Sequence, residues 1–238
     1  MSLKAPHFVI LAAGIGSRLG RSHPKCLTLL KTGETILQRQ LRLIHQVNPA
    51  SVTIVVGFES DTIRTVATAL HPETRFVENL QYRSTNTSKS LLKALEATNK
   101  HQDTLWLNGD VVFSETLLPQ LLKSLHSSTV GVTNHQVGEE EIKYTLDEEG
   151  CIIQLSKTVP LEEAEGEGVG VNFVQAADSQ RFIAALKAVQ DEDYFEKAME
   201  ITALTKQISW VPYNLSDESL TAIEVDFEAD LQEANESL

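Results

Sequence analysis

Short apolar runs alternate with segments of helical periodicity along the first 135 residues of the chain. Leu37, Leu41 and Ile44 recur at the spacing of one helix face, whereas the run from Phe8 to Leu11 is typical of a buried strand. Patterns of these two kinds predict strands at 7–12, 52–57, 74–78, 104–108 and 128–133, and helices at 34–47, 60–70, 87–99 and 115–126. Such alternation predicts an α/β fold: a Rossmann-like, mostly parallel sheet with helices on both faces.

The pattern changes in the second half of the chain. Between 143 and 175 apolar runs follow one another closely and glycines separate them, which favours a small antiparallel extension of the sheet. The predicted elements there are strands at 143–147, 151–155, 169–174, 208–213 and 222–225, and helices at 177–189, 191–204 and 227–236. Neither an internal repeat nor a proline-rich linker divides the sequence, so we expect a single domain over residues 1–238.

Composition narrows the range of partners. The chain has 238 residues, 42% of them hydrophobic, and its net charge of −13 argues against nucleic acid as a partner. No apolar run approaches the roughly 18 residues of a membrane span, and Lys4, Pro6 and His7 interrupt any signal-peptide core. Cys26 and Cys151 are too few for a disulfide framework or a zinc site. We therefore expect a cytoplasmic protein with no membrane partner, whose oligomeric state stays open.

The charge is unevenly distributed along the chain. Residues 1–100 carry 13 Lys/Arg and 6 Asp/Glu, a balance of +7, whereas residues 101–238 carry 7 and 27, a balance of −20. This distribution would attract an anionic ligand to the N-terminal half. A second interpretation, compatible with the first, is that the acidic residues of the C-terminal half only increase solubility.

The segment Ile-Leu-Ala-Ala-Gly-Ile-Gly-Ser-Arg-Leu-Gly at 10–20 follows the first predicted strand and is followed by Pro24-Lys25. Glycines let the backbone approach a ligand closely and expose N–H groups to an anion, so this pattern favours a polyphosphate site. Two alternatives remain: a turn needed for packing alone, and a dinucleotide fold. The dinucleotide pattern fits poorly, since Gly20 comes one place late and no acidic residue precedes Glu34.

Together with His23-Pro24-Lys25-Cys26-Leu27, this segment resembles the signature of the MobA-like nucleotidyltransferases, which activate sugar phosphates and small alcohol phosphates. The resemblance implies that the glycine loop wraps a nucleoside triphosphate and that Lys25 contacts phosphate. It implies nucleotide-binding roles for Leu11, Ala12, Ala13, Gly14, Ile15, Gly16, Ser17, Arg18 and Lys25, and catalytic roles for Arg18, Lys25 and Asp110. Residues 1–135 would form the nucleotide-binding part, and residues 136–238 the acceptor-binding part with a second metal carboxylate.

Two carboxylates follow predicted strands. Asp110 ends the strand that precedes Asn108-Gly109, and Asp226 follows Ile223-Glu224-Val225. Ligands gather at the carboxyl ends of parallel strands, and carboxylates with phosphate oxygens suit Mg²⁺. Asp110 could instead belong to a simple turn, and Asp226 could cap the following helix. The family resemblance implies that both aspartates hold Mg²⁺.

The polar segment from Asn79 to Leu91 contains Thr85, Asn86, Thr87 and Ser88. These residues could cap a helix, or their amides and hydroxyls could pair with a pyrimidine base. The segment resembles one in cytidylyltransferases that act on phosphocholine-like or inositol phosphates, which implies CTP as the nucleotide.

The acceptor site is less clearly marked. The resemblance implies that Lys157 and Glu167 lie near the acceptor phosphate, although a surface lysine and an acidic loop are the alternative. A choline-type cation needs acidic or aromatic groups, and the carboxylates of the C-terminal half with Tyr144, Phe173 and Tyr194 could supply them. Where relatives often carry an aromatic residue before Glu224, this chain has Thr221-Ala222.

These expectations combine into one function: Mg²⁺-dependent transfer of a nucleotidyl group, from CTP, to a small phosphorylated alcohol such as phosphocholine, with release of pyrophosphate. A sugar 1-phosphate or inositol phosphate acceptor, and a non-catalytic nucleotide-sensing module on the same fold, are the alternatives.

Overall fold

The computed structural model describes residues 5–98, 101–134, 137–216 and 220–238. The strands are β1 (His7–Ala12), β2 (Ser51–Val56), β3 (Arg75–Glu78), β4 (Thr104–Asn108), β5 (Val111–Phe113), β6 (Thr129–Thr133), β7 (Lys143–Leu146), β8 (Ile152–Ser156), β9 (Gly166–Val174), β10 (Val211–Asn214) and β11 (Ala222–Glu224). The helices are α1 (Ile36–Gln46), α2 (Ser60–Leu70), α3 (Thr87–Ala97), α4 (Leu117–Ser124), α5 (Ala176–Ala188), α6 (Phe195–Leu204) and α7 (Glu228–Glu236). Short 3₁₀ turns cover Ser17–Leu19, Lys25–Leu27 and Leu161–Glu163.

The main sheet has the strand order β10-β6-β9-β4-β1-β2-β3. β1 pairs in parallel with both β2 and β4, and β2–β3 and β6–β10 are also parallel. β9 runs antiparallel between β4 and β6, and the hairpin β7–β8 extends from β9. The predicted Rossmann-like sheet with an antiparallel extension in the C-terminal half is therefore confirmed.

Both faces of the sheet are buried, because successive side chains of a strand point to opposite faces. Phe8 and Ile10 of β1 pack with α1, α2 and α4, whereas Val9 and Leu11 pack with α3, α5 and α6. The second face contains an aromatic cluster, in which the Trp106 ring lies 5.5 Å from Phe182 and 6.3 Å from Trp210.

Some predicted features differ in the structure. The sequence pattern does not predict β5, a three-residue strand that pairs antiparallel with β11 in a separate small sheet. The predicted helix 191–204 begins only at Phe195, because residues 190–193 form a turn in which the Gln190 backbone N–H donates to Asp193 Oδ2 (2.8 Å). β9 begins at Gly166, so Glu167 lies in a strand and not in an acidic loop.

Tyr144 and Phe173, suggested above as aromatic groups for a cationic ligand, lie in the core. Their side chains are on the faces of β7 and β9 that pack inward, and the Tyr144 hydroxyl donates to Asn134 Oδ1 (2.9 Å). The expectation that they bind a cation is wrong. Within the described ranges, no helix is both long and apolar enough to cross a bilayer.

Candidate active site

A cavity of about 630 Å³ lies at the carboxyl ends of β1 and β4. In parallel sheets this edge gathers ligands, since the loops that leave the strands converge there. The cavity is lined on one side by residues of the loop after β1 and by α3, and on the other by residues of β9, α6, β11 and the 139–142 loop. Candidate site residues from distant parts of the sequence therefore line the same cavity.

The loop between β1 and the first 3₁₀ turn forms one wall. Gly14 and Gly16 line the cavity together with Leu11 and Ala12 at the end of β1. Gly16 has a φ of +66°, and a Cβ at this position would overlap the side chain of Lys25, so glycine is required both for the turn and for the approach of the lysine.

Two other predicted residues of this loop, Ala13 and Ile15, lie outside the cavity lining. Ala13 is buried in the core, and its carbonyl accepts a hydrogen bond from the Phe58 backbone N–H (3.1 Å). Ile15 is exposed and does not line the cavity. The backbone of Ser17 begins the 3₁₀ turn that carries Arg18, and its side chain lies outside the described part of the structure. The structure thus brings the glycines, but not every residue of the motif, to the cavity.

Two cations and two carboxylates meet beside the glycine loop. Lys25 Nζ donates to Asp110 Oδ2 (3.2 Å) and to Asp226 Oδ1. Arg18 Nη1 pairs with Asp226 Oδ2 at 2.6 Å. The Lys25 side chain is only 11% exposed, so its charge is held within the site. All four residues predicted for phosphate and metal chemistry therefore form one cluster.

Asp226 does not cap α7. The backbone N–H groups of Asp226 and Phe227 both donate to the Asp230 carboxylate, at 2.9 and 2.7 Å. Asp230 thereby accepts from the two N–H groups that precede the helix, and the Asp226 carboxylate is directed at Lys25. The backbone carbonyl of Asp110 accepts from the Val225 N–H (3.0 Å), which holds the two aspartate segments together.

Glu224 lies one step behind this cluster. Its Oε1 accepts a hydrogen bond from Asn108 Nδ2 (2.7 Å), and Gly170 leaves room for the pair, since a Cβ there would overlap both side chains. Burial, reinforced by the negative charge of Asp110, raises the pKa of Glu224 to about 8. Asn108 and Glu224 stand within the sequence motifs, but the sequence assigned them no role.

Only some residues of the predicted base-recognition segment line the cavity; the others make contacts within the protein. Asn86 and Thr87 line the cavity at the start of α3. The Thr85 hydroxyl donates to the Gln81 carbonyl (2.9 Å), and Ser88 is fully buried. Asn86 also caps α3, because its Oδ1 accepts from the Thr87 N–H (2.8 Å). Asn86 therefore both caps the helix and lines the cavity, so the two interpretations of this residue are compatible.

The predicted acceptor residues lie on the opposite wall. Lys157 Nζ lies 3.4 Å from Glu140 Oε2 and 5.8 Å from the centre of the Tyr194 ring. Glu167 also lines the cavity, and its Oε1 accepts from the Thr133 hydroxyl (3.4 Å).

Glu196 in α6 faces the same wall and was not singled out by sequence reasoning. Burial raises the pKa of its carboxyl to about 7, against the opposing effect of Lys157. Its Oε2 is buried and has no hydrogen-bond partner among the described residues. In the sequence, Glu196 looks like any acidic residue of an amphipathic helix; only the packing of α6 against the cavity distinguishes it.

Comparison with known proteins identifies the family. Residues 8–195 match the MobA-like NTP transferase domain. CMP-5'-(3-aminopropyl)phosphonate synthase of Streptomyces rubellomurinus is 34% identical over 130 residues, which are 52% of this chain and 20% of that protein. The bifunctional protein GlmU of Saccharophagus degradans is 31% identical over 184 residues, 75% of this chain and 40% of that protein. The matches thus cover less than half the length of these relatives.

Solved structures show the same fold. CTP:phosphocholine cytidylyltransferase from Streptococcus pneumoniae superposes with a TM-score of 0.77 at 16% identity, covering 97% of this chain and 98% of that one. The inositol-1-phosphate CTP transferase from T. maritima gives a TM-score of 0.82 at 14% identity, covering 100% and 96%. Because the domain match spans most of the chain and the fold agrees throughout, the protein belongs to the MobA-like NTP transferase family, as its sequence motifs predicted.

Proposed function

We propose that the protein transfers CMP from CTP to a phosphate or phosphonate oxygen of a small acceptor that carries a cationic amine, and releases pyrophosphate. One observation carries this proposal: a single cavity has a glycine loop with Arg18 and Lys25 at one end, and carboxylates with Tyr194 at the other. The first end suits a triphosphate, and the second suits a cation.

The reaction needs no covalent intermediate with the enzyme. An acceptor oxygen attacks the α-phosphorus of the nucleotide in line, a new P–O bond forms, and the bond to the bridging oxygen of the β-phosphate breaks. Backbone N–H groups at Gly14 and Gly16 would hold the β- and γ-phosphates. Lys25 and Arg18 would leave the aspartates for the phosphate oxygens and neutralise the negative charge that builds up on the leaving pyrophosphate.

The donor set at Asp110 and Asp226 fits Mg²⁺. Two carboxylates from separate segments converge on one ammonium group, so this point already favours a cation, and oxygen ligands are those that Mg²⁺ prefers. Asp110 and Asp226 would hold the ion between them. When bound, Mg²⁺ would neutralise charge on the phosphates of the nucleotide.

The nucleotide end of the site supports CTP. Asn86 and Thr87 place an amide and a hydroxyl at the cavity wall, and both can pair with the edge of a pyrimidine. The two structural neighbours described above carry CTP in their names. Under this proposal residues 1–135 form the nucleotide-binding part and residues 136–238 the acceptor-binding part.

The acceptor end supports an amine. Glu140, Glu167 and Glu196 surround Lys157 and Tyr194, so a cation would find carboxylates and an aromatic face, and Lys157 remains for the acceptor phosphate. A neutral hexose would leave the buried Glu196 Oε2 without a charged partner, which is costly. The relative from Streptomyces is named for an aminopropyl phosphonate, an acceptor of this kind.

A pyrophosphate-release screen tests the proposal. Each of the four NTPs is offered with phosphocholine, phosphoethanolamine, 3-aminopropylphosphonate, inositol phosphate and hexose 1-phosphates. We expect the highest kcat/KM with CTP and an amine-bearing acceptor. Turnover of a hexose 1-phosphate with UTP alone would overturn the amine-bearing acceptor but keep nucleotidyl transfer. Binding of an NTP without pyrophosphate release for any acceptor would favour a non-catalytic nucleotide-sensing module.

A further inference from the structure

The start of α3 and the turn between α5 and α6 are joined by a set of hydrogen bonds, which we call the α3–α6 clamp. The Asn86 backbone N–H donates to the Asp191 carbonyl (2.8 Å), and Asn86 Nδ2 donates to the Glu192 carbonyl (3.1 Å). The Phe195 N–H donates to the Thr87 hydroxyl (3.2 Å). These contacts tie the nucleotide side of the cavity to the segment that leads into Tyr194 and Glu196.

Lys89 is the central side chain of the clamp. Its Nζ donates to the carbonyls of Leu186 (3.1 Å) and Val189 (2.6 Å) at the end of α5, and lies 3.8 Å from the Asp191 carboxylate. The last carbonyls of a helix have no partner within the helix, and a lysine there satisfies them and stabilises the negative end of the helix dipole. The Lys89 side chain is only 12% exposed, so water cannot easily replace it.

The turn that Lys89 holds determines where the acceptor wall lies. Val189 ends α5 and Phe195 begins α6, so the intervening turn sets the position of Tyr194 and the first turn of α6 with Glu196. Among the described residues, no hydrogen bond joins the Tyr194 hydroxyl to another group, Glu196 Oε2 has no partner, and the Glu196 carboxyl bonds only its own backbone N–H. Their position therefore depends on the backbone that the clamp holds.

We propose that Lys89 is a positioning residue, which acts from the nucleotide-side helix to hold Tyr194 and Glu196 against the acceptor. The inference rests on the proposed function, and it deepens it: residues that bind the base and residues that bind the acceptor share one rigid connection. Lys89 does not line the cavity, so it acts only through the turn.

The test compares Lys89→Met with Lys93→Met. Lys93 lies one turn further along α3, and no hydrogen bond or ion pair joins it to the described part of the chain, so the same chemical change there is a matched control. We expect Lys89→Met to raise the KM of the acceptor about 10-fold while the KM of the nucleotide changes less than about 2-fold. Lys93→Met should leave both constants unchanged, and Lys89→Arg should recover much of the acceptor binding, because a guanidinium can donate to both carbonyls.

Backbone amide exchange supplies a readout that needs no turnover. In Lys89→Met we expect faster exchange at 190–196 and unchanged exchange in β1 and β4. A variant that loses thermal stability but keeps its acceptor KM would overturn the proposal, since Lys89 would then be structural only. An increase of both KM values together would do the same. If the enzyme prefers a neutral acceptor, the proposed amine specificity fails, yet the KM comparison with that acceptor still tests the clamp.

Discussion

The two ends of the cavity are built differently. The nucleotide end is assembled from short stretches that follow strands β1 and β4, and a turn and a strand end bring Arg18, Lys25 and Asp110 together. The acceptor end is assembled from single residues on β9, α6 and the 139–142 loop, which are separate segments of the chain. A motif can therefore mark the first end, whereas the second end arises only from how separate elements pack.

The ends also differ in how their charges are paired. At the nucleotide end, Lys25 and Arg18 are matched by Asp110 and Asp226. At the acceptor end, Glu196 has a raised pKa and an unpartnered oxygen among the described residues. Each cation at the first end therefore lies beside a carboxylate, whereas the second end has a carboxylate oxygen that a cationic ligand could pair with. Substitutions at each end test this difference in charge pairing.

The largest effect is expected at Asp110. Asp110→Asn keeps the size of the side chain and the backbone contact with Val225 but removes a metal-binding charge. We expect kcat to fall by on the order of 10²-fold or more, about 2.7 kcal/mol of transition-state stabilisation, at unchanged thermal stability. Steady-state kinetics over a Mg²⁺ titration measure this. Asp61→Asn, an exposed position in the first turn of α2, controls for the loss of one carboxylate. Full activity of the Asp110 variant at ordinary Mg²⁺ would remove Asp110 from the metal site.

A smaller effect is expected at Lys25. Its ammonium should matter more to the leaving pyrophosphate than to bound triphosphate, so Lys25→Met should lower kcat about 30-fold and raise the KM for the nucleotide only a few-fold. Lys93→Met provides the same chemical change far from the cluster. A change in KM alone would mean that Lys25 binds ground state and transition state equally.

The smallest effect, and the most specific to the acceptor end, is expected at Glu196. Because its pKa is raised to about 7, its carboxyl is protonated below that pH and charged above it. A cationic acceptor should therefore bind better as the pH rises from about 6 to 8, and Glu196→Gln should raise the acceptor KM about 10-fold at pH 8 and flatten this dependence. Acceptor KM values across the range, with Glu148→Gln on the exposed β7–β8 turn as control, measure it. An identical pH profile in Glu196→Gln and the unsubstituted protein would exclude Glu196 as the group that titrates.

The same raised pKa has a consequence for stability. The folded state holds a proton that the unfolded state releases above its ordinary pKa of 4.5. The contribution of this group to the free energy of unfolding is therefore fully present below about pH 4.5 and is lost as the pH rises through about 7. Glu196→Gln should remove that part of the pH dependence, which denaturant titrations at several pH values detect.

Much of the fold follows from periodicity, because both faces of the sheet are buried and each long strand is an apolar run. The exceptions are informative. β5 is three residues long and exists through its pairing with β11, so no local pattern reveals it. The start of α6 shifts to Phe195 because the Asp193 carboxylate binds the Gln190 N–H and closes a turn.

The aromatic residues show the limit of reasoning from composition. The sequence groups Tyr144 and Phe173 with Tyr194 because all three are aromatic and lie in the half of the chain that is rich in carboxylates. Only Tyr194 lines the cavity, since the pleat of β7 and β9 turns the other two into the core. Which face a strand residue takes depends on the partners of that strand, and these are not local.

Local patterns along the chain are enough to predict the alternation of strands and helices, the glycine loop, and the two aspartates that follow strands, because each of these features depends on residues close together in the sequence. Only packing places Lys25 between Asp110 and Asp226. It also makes Asp230, and not Asp226, the acceptor for the backbone N–H groups just before α7, and it brings Glu196 to the acceptor wall with a buried carboxylate oxygen. These features depend on distances between segments that are far apart in sequence. Charge and burial act through space, so a carboxylate acquires its pKa and its partner only when the chain has packed around it.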